Sequence, residues 1–420
     1  MMAGDRLAAP GLTSGMRLDN GHVLGAVAVV APAVGVFAPL ALAPLLAVAA
    51  VAAVAVARLR GDSWSAFPGA CAVLLGVTVL WSLISLLWAP EPRFAAAKLG
   101  ELALLFAAGV VVLGVAMSLD RAQRRRVERL LIIGFALALA LLCIELVAGY
   151  PIRYLERTDW PGVQHLKSSF DRGATVLAVL VWPAARALWR RSNLAAVGLW
   201  IATAALVASL SSATAKLALL VGIMAFVASR AAPRATATIL GVVLAVAIVA
   251  SPLLAARIPS LDILDLNWPF NTTAGTTGKS AIMSGKHRLL IWRFTADRIA
   301  EKPLFGWGFN ASRWLPGGNA IVMDQENALP LHPHNVALQW WVELGLPGAL
   351  LAATLALLAA GAIRRIDDPH GAASGAALLA SAATIAALSF GTWQSWWIAA
   401  LALAAAFHTA TVRGETTPAA

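Results

Sequence analysis

The chain is poor in charge, in cysteine and in every motif that would mark a soluble nucleotide-using enzyme. Only 13% of its 420 residues are Asp, Glu, Lys or Arg, about half of what a soluble domain of this size carries. That excludes a large water-facing globule. Both cysteines, Cys71 and Cys143, fall inside apolar runs, so no disulfide framework exists and neither thiol reports a redox compartment. There is no Walker or kinase pattern, and Gly306-Trp307-Gly308 lacks the spacing and the preceding strand of a nucleotide loop. No D-x-D pair is available to hold a divalent ion on a diphosphate. Energy for any reaction must therefore arrive with the substrate.

What the chain has instead is apolar length. Hydrophobic residues make up 60% of it, and runs of about 20 residues, enough to cross a bilayer, recur almost throughout. The expectation is an all-α polytopic membrane protein. About twelve spans are expected, near 22–37, 39–57, 66–88, 98–117, 128–148, 172–189, 194–210, 212–229, 235–254, 334–361, 371–390 and 392–410. Ala38-Pro39 is the break that divides the first run in two. The chain then divides into a leader at 1–21, nine spans within 22–254, a large loop at 255–333 with a helical segment, three spans within 334–410 and a tail at 411–420. With no cleavable signal peptide evident, the first span reads as an uncleaved anchor.

The net charge of +11 sits in short loops, as topology control and contact with anionic headgroups require. No basic stripe with stacking aromatics is present, so nucleic acid is not an expected partner. Seventeen arginines lie in alternate loops, at 6–17, 58–60, 121–129, 186–191, 230–234, 364–365 and 413, against Arg93, Lys98, Arg153, Arg157 and Lys167 in the intervening short ones. The bias predicts cytoplasmic termini in an inner membrane, with 255–333 on the opposite side. Within that loop Ile258 to Ser284 is irregular by composition. A helix is expected from Lys286 to Glu301, with Arg293 and Asp297 paired one turn apart and Pro303 ending it. A second outer loop runs from Gly149 to Asp171.

Candidate chemistry concentrates where the large loop enters the tenth span, in the stretch LHPHNVALQWWVELG at 331–345. Asn335, Gln339 and Glu343 recur every fourth residue and form one polar stripe on a helix. Pro347 cannot donate to the carbonyl of Glu343, which predicts a kink beside that acid. An ionisable residue inside a span is costly and is a functional candidate by default. The plainer alternative is a stripe that bonds a neighbouring helix, with His334 resting at headgroup level. His332 and His334 form an H-x-H pair, but no acidic or cysteine partner follows at metal-ligand spacing, so no metal is expected. Arg172, Lys216 and Arg288 are cations expected on the outer side, against the prevailing bias. Snorkelling is one explanation. Convergence of all three with His334 would suit a diphosphate.

These residues resemble a known family. HPHN followed by L-Q and E-x-G is similar to the signature of the bacterial O-antigen ligase and polymerase superfamily. SGKHRLLIWRFTADRIAEKPLFGWGFN at 284–310 resembles the segment preceding that family's outer-loop histidine. The turn from Ser209 to Lys216 and the segment SSFDRGAT resemble its two other basic motifs. Ala215-Lys216 stands where the family usually has Ser-Arg, and Arg172-Gly173 where it has Arg-Asn, so Lys216 keeps the charge but loses the bidentate geometry. The resemblance implies a membrane glycosyltransferase of the GT-C-like class. It would be inverting, metal-independent and without cofactor. It would move O-antigen from undecaprenyl diphosphate to a sugar hydroxyl of lipid A-core, among membrane lipids, at a periplasmic site. His334 would accept the hydroxyl proton, and Arg288, Lys216 and Arg172 would neutralise the diphosphate. Asn335 would orient the His334 ring, with His332, Gln339 and Glu343 in support. An O-antigen polymerase, a protein O-oligosaccharyltransferase and a twelve-span secondary transporter are the alternatives. The transporter is disfavoured because no halves match and the charges gather at one face.

Overall fold

A computed structural model describes residues 18–61, 68–156, 158–159, 162–259, 276–323 and 326–412. The chain is an all-α polytopic membrane protein. Among the described residues nine helices are long and apolar enough to cross a membrane. The helices are α1 (Asn20–Phe37), α2 (Leu42–Arg60), α3 (Gly69–Ser85), α4 (Pro92–Ser118), α5 (Arg121–Val147), the short α6 (Pro151–Glu156) and α7 (Val163–Ser168), and α8 (Asp171–Trp189). After them come α9 (Asn193–Ser209), α10 (Ala213–Ala231), α11 (Pro233–Ala255), α12 (Thr276–Glu301), α13 (Val336–Arg364), α14 (Pro369–Leu388) and α15 (Ser395–Val412). Each apolar run read as a span coincides with one of these helices. A 3₁₀ turn at Pro39–Ala41 parts α1 from α2, where Ala38-Pro39 breaks the run.

Helix α8 is the axis of the bundle. Every residue from Gly173 to Ala187 is buried, because this helix is apolar on all faces and is surrounded by its neighbours. α9, α14, α1, α5, α15 and α10 pack against it, while α11 pairs with α13 and α4 with α15. Many large apolar side chains on the outer helices, Val51, Leu104, Ile201 and Val246 among them, remain exposed. A helical belt of this kind is stable only where lipid covers it.

The two ends of the bundle differ. One end is laced by ion pairs between helix termini: Arg126 with Asp19 at 2.9 Å, Arg186 with Asp368 at 2.5 Å and Arg190 with Glu128 at 3.5 Å. Asp19 and Asp120 close capping boxes at the starts of α1 and α5 there. The first described residues and the end of α15 both lie at this end, with Val412 beside Gly371. The opposite end carries α6, α7, α12 and the 302–335 segment. That segment includes a two-stranded hairpin, β1 (Ile321–Met323) with β2 (Glu326–Asn327). α12 begins at Thr276, earlier than expected, so the last residues of the stretch read as irregular are helical, while 260–275 lies outside the described residues. Arg293 meets Asp297 at 3.3 Å along α12, as the spacing requires.

Helix α13 is broken, and the break organises the opposite end. Gly345 has φ 66° and ψ −158°, two residues beyond Glu343. Carbonyls left open there are taken by the segment Pro303–Asn310. The N–H of Trp307 donates to Val342 O at 2.8 Å and that of Gly308 to Glu343 O at 2.8 Å, while Leu346 N–H returns to Pro303 O at 3.0 Å. Trp81 Nε1 covers Leu344 O at 2.9 Å. Glycine is required on both sides of this contact: a Cβ on Gly306 would sit 2.5 Å from Glu343 O, and one on Gly345 2.4 Å from Leu304 O. Both have positive φ, which only glycine adopts freely.

Candidate active site

His334 lies at the turn leading into α13, with φ 53°, a left-handed conformation uncommon for a non-glycine residue. Its backbone N–H donates to His332 Nδ1 at 3.2 Å, and the two rings are 4.3 Å apart. Its own Nδ1 lies 2.6 Å from the carbonyl oxygen of Ser389, at the end of α14. A carbonyl can only accept, so Nδ1 carries the hydrogen and Nε2 keeps the lone pair. Burial, followed by the charges of Arg288 and His287, pulls the His334 pKa below its ordinary value against the raising effect of the Ser389 bond. Neutral at pH 7, with Nε2 unprotonated, it has the form of a general base.

Asn335 does not orient this ring. Its side chain caps α13 by accepting from Leu338 N–H at 3.1 Å, the ordinary duty of an asparagine at an N-cap. Ser389, a residue without any motif of its own, holds the imidazole instead. The rest of the polar stripe turns inward. Glu343 is wholly buried and accepts from Asn310 N–H at 2.7 Å, Ser312 Oγ at 2.5 Å, Gln339 Nε2 at 3.0 Å and Trp393 Nε1 at 2.6 Å. Gln339 Oε1 in turn accepts from Thr392 N–H at 2.8 Å. Glu343 and Gln339 thus tie the 310–312 turn and the 389–394 turn to α13. Gln394 from that same turn meets His332 Nε2 at 3.1 Å. Burial, then the charges of His334 and Arg313, push His332 down to about 3.

The three candidate cations do not form one group. Arg288, on α12, and Lys216, on α10, both act on the carboxylate of Asp171 at the start of α8. Arg288 also acts on His334, so His334, Arg288, Asp171 and Lys216 form one cluster. Arg172, the next residue along α8, faces elsewhere. Its guanidinium lies 5.9 Å over the ring of Trp396 and lines a cavity that none of His334, Arg288 and Lys216 borders. The cause is helical geometry: adjacent residues on a helix point about 100° apart. Asp171 was not singled out by sequence. Its Oδ1 is buried without a hydrogen-bond partner among the described residues, an unsatisfied acceptor beside two cations. Its signal in the sequence is the D-R pair of SSFDRGAT, in which the arginine is the residue the family resemblance marks.

α12 is clamped over this cluster. Trp292 Nε1 donates to Pro333 O at 3.0 Å, His287 Nε2 bonds Asn327 O at 2.8 Å, and Arg293 reaches Ala256 O at 2.6 Å. Among the described residues no three His, Cys, Asp or Glu side chains gather as a metal-holding group.

Residues 197–353, which include Lys216, Arg288, His334 and Glu343, match the O-antigen ligase family profile. A Rickettsia conorii protein provisionally named a polysaccharide ligase is 26% identical over 331 residues, covering 77% of this chain and 76% of that one. A Rickettsia felis protein with the same provisional name is 26% identical over 328 residues, covering 76% and 75%. A Rickettsia bellii counterpart reaches 40% identity over 120 residues, 28% of this chain and 29% of its own.

Proposed function

We propose that the chain, whose residues 197–353 match the O-antigen ligase family, joins O-antigen polysaccharide, carried on undecaprenyl diphosphate, to a sugar hydroxyl of lipid A-core. The enzyme class, a membrane-embedded polysaccharide ligase, is supported by the family match and the relatives. The base chemistry is supported by one observation: the 2.6 Å contact of His334 Nδ1 with Ser389 O. That bond leaves Nε2 as the basic nitrogen, as removal of a hydroxyl proton requires.

The reaction then proceeds by inversion. The acceptor hydroxyl approaches His334 Nε2, and its proton passes to the imidazole as its oxygen bonds the anomeric carbon of the donor. The bond from that carbon to the phosphate oxygen breaks, and undecaprenyl diphosphate leaves with the electron pair. General-base assistance of this kind contributes about 10²–10⁴-fold. Arg288 and Lys216 neutralise the departing diphosphate in place of a divalent ion, the larger electrostatic contribution in a dry site. Asp171 holds both cations in register before substrate arrives, and the diphosphate, with greater charge, displaces it as their partner.

In this reading the chain crosses the inner membrane about twelve times in a GT-C-like arrangement, with the arginine-paired end and both termini in the cytoplasm and the His334 end in the periplasm. The region at 255–333, with its helical segment, is then a large periplasmic loop between nine spans and three. An O-antigen polymerase would share the donor site and differ only in its acceptor. Reconstitution of purified protein with lipid-linked O-antigen separates the two. The ligase reading expects product only when lipid A-core is added. Lengthened lipid-linked chains in its absence would make the protein a polymerase.

A further inference from the structure

The displacement of Arg172 from the diphosphate cluster leaves a second site unassigned. The cavity it lines has a volume of about 420 Å³. One wall is polar, formed by Glu101, Arg172, Gln394 and Ser395, with Trp396 beneath them. The other is apolar, formed by Leu40, Ala43 and Pro44 at the break between α1 and α2. Glu101 is already neutralised: it pairs with Lys98 at 2.9 Å and also accepts from Ser395 Oγ. Arg172 makes no ion pair among the described residues, and its sole neighbour of note is the Trp396 ring. The wall therefore presents one uncompensated cation, a carboxylate, an amide and a hydroxyl opposite an aliphatic surface.

We propose that this cavity is the acceptor subsite, which takes an anionic saccharide at the head of a lipid. The polar wall supplies donors and acceptors for sugar hydroxyls, Arg172 meets the anionic substituent, and the aliphatic wall meets the start of the lipid portion. Position supports the assignment. Gln394 borders the cavity and touches His332 at 3.1 Å, and the His332 ring stands 4.3 Å from that of His334. The cavity is thus linked to His334 through Gln394 and His332, while Arg288 and Lys216 line no part of it. The 389–394 turn serves both halves, offering Ser389 O to His334 and Gln394 to the cavity. The inference rests on the transferase reading above and adds where its second substrate binds.

The test is a steady-state analysis of full-length protein in phosphatidylcholine nanodiscs, with lipid-linked O-antigen and purified lipid A-core varied in turn. Arg172→Gln, which removes the charge at similar size, and Leu40→Trp, which fills the cavity from the opposite wall, should each raise the acceptor KM at least ten-fold and leave the donor KM within two-fold. Arg172→Lys should recover part of the loss. Leu40 is exposed, so its substitution does not disturb the core, and an unchanged melting temperature checks this. A raised donor KM with an unchanged acceptor KM would return Arg172 to the diphosphate and overturn the proposal. The same follows if Arg172→Gln alters acceptor KM only when anionic lipid is added, which would make the cavity a headgroup site. No transfer by wild-type protein would instead refute the ligase reading itself.

Discussion

The Ser389 carbonyl holds the His334 ring and His332 accepts from the His334 backbone N–H, and each residue of the pair has a measurable consequence. Nδ1 is fixed by Ser389 O, so His334→Ala should lower kcat by at least about 10²-fold, the range for loss of a general base, with little change in either KM. Its pKa lies below the ordinary histidine value because of burial and the charges of Arg288 and His287. The acid limb of the kcat/KM profile should therefore fall below pH 6.5, and a limb above that value would contradict a buried base. Neighbouring His332 reports on stability. Its folded pKa of about 3 lies below the ordinary value of 6.5 for an exposed ring, so the unfolded chain binds its proton first. The stability it contributes is intact above pH 6.5 and is lost as pH falls toward 3. At pH 5 the loss reaches about 2 kcal/mol, seen as a lower melting temperature whose pH dependence is reduced in His332→Gln. Lys216→Arg should retain transfer, because the cation acts on Asp171 through charge, whereas Lys216→Ala should raise the donor KM.

Elements position these residues through the break in α13. Glu343→Ala would leave the donors of Ser312, Gln339 and Trp393 facing an empty site, and each unsatisfied buried group costs about 1–3 kcal/mol. Loss of folded protein in a thermal size-exclusion assay is the expected outcome, with Glu343→Gln intermediate. Gly345→Ala should behave similarly, because its Cβ would meet Leu304 O at a φ of 66°. The kink was legible in advance: Pro347 removes one donor and Glu343 is an acid in a span. What takes up the freed carbonyls was not, because the GWG segment lies some 35 residues away and resembles a loop. The same limit applies to the cations. Sequence gives their charge and approximate side, but only the helical angle between Asp171 and Arg172 separates them into two groups. Ser389 bears no signature because its backbone carbonyl, not its side chain, contacts the ring.

For the whole molecule, the arginine bias of the loops and the ion pairs at one end of the bundle describe the same asymmetry. Each expected span coincides with a helix, nine of them long and apolar enough to cross a membrane among the described residues, because apolar length is a local property, whereas the packing of α8 on all sides depends on the surrounding helices. If the His334 end faces the periplasm, Glu301→Cys in a background lacking Cys71 and Cys143 should label with an impermeant maleimide in spheroplasts. Arg58→Cys should label only after permeabilisation, and the reverse pattern would invert the topology. The account as a whole depends on a histidine that works without metal. Purified wild-type protein, given lipid-linked O-antigen and lipid A-core in the presence of a chelator, should form the joined product, and His334→Ala should not. Equal product from both proteins, or product only when a divalent metal is restored, would contradict it.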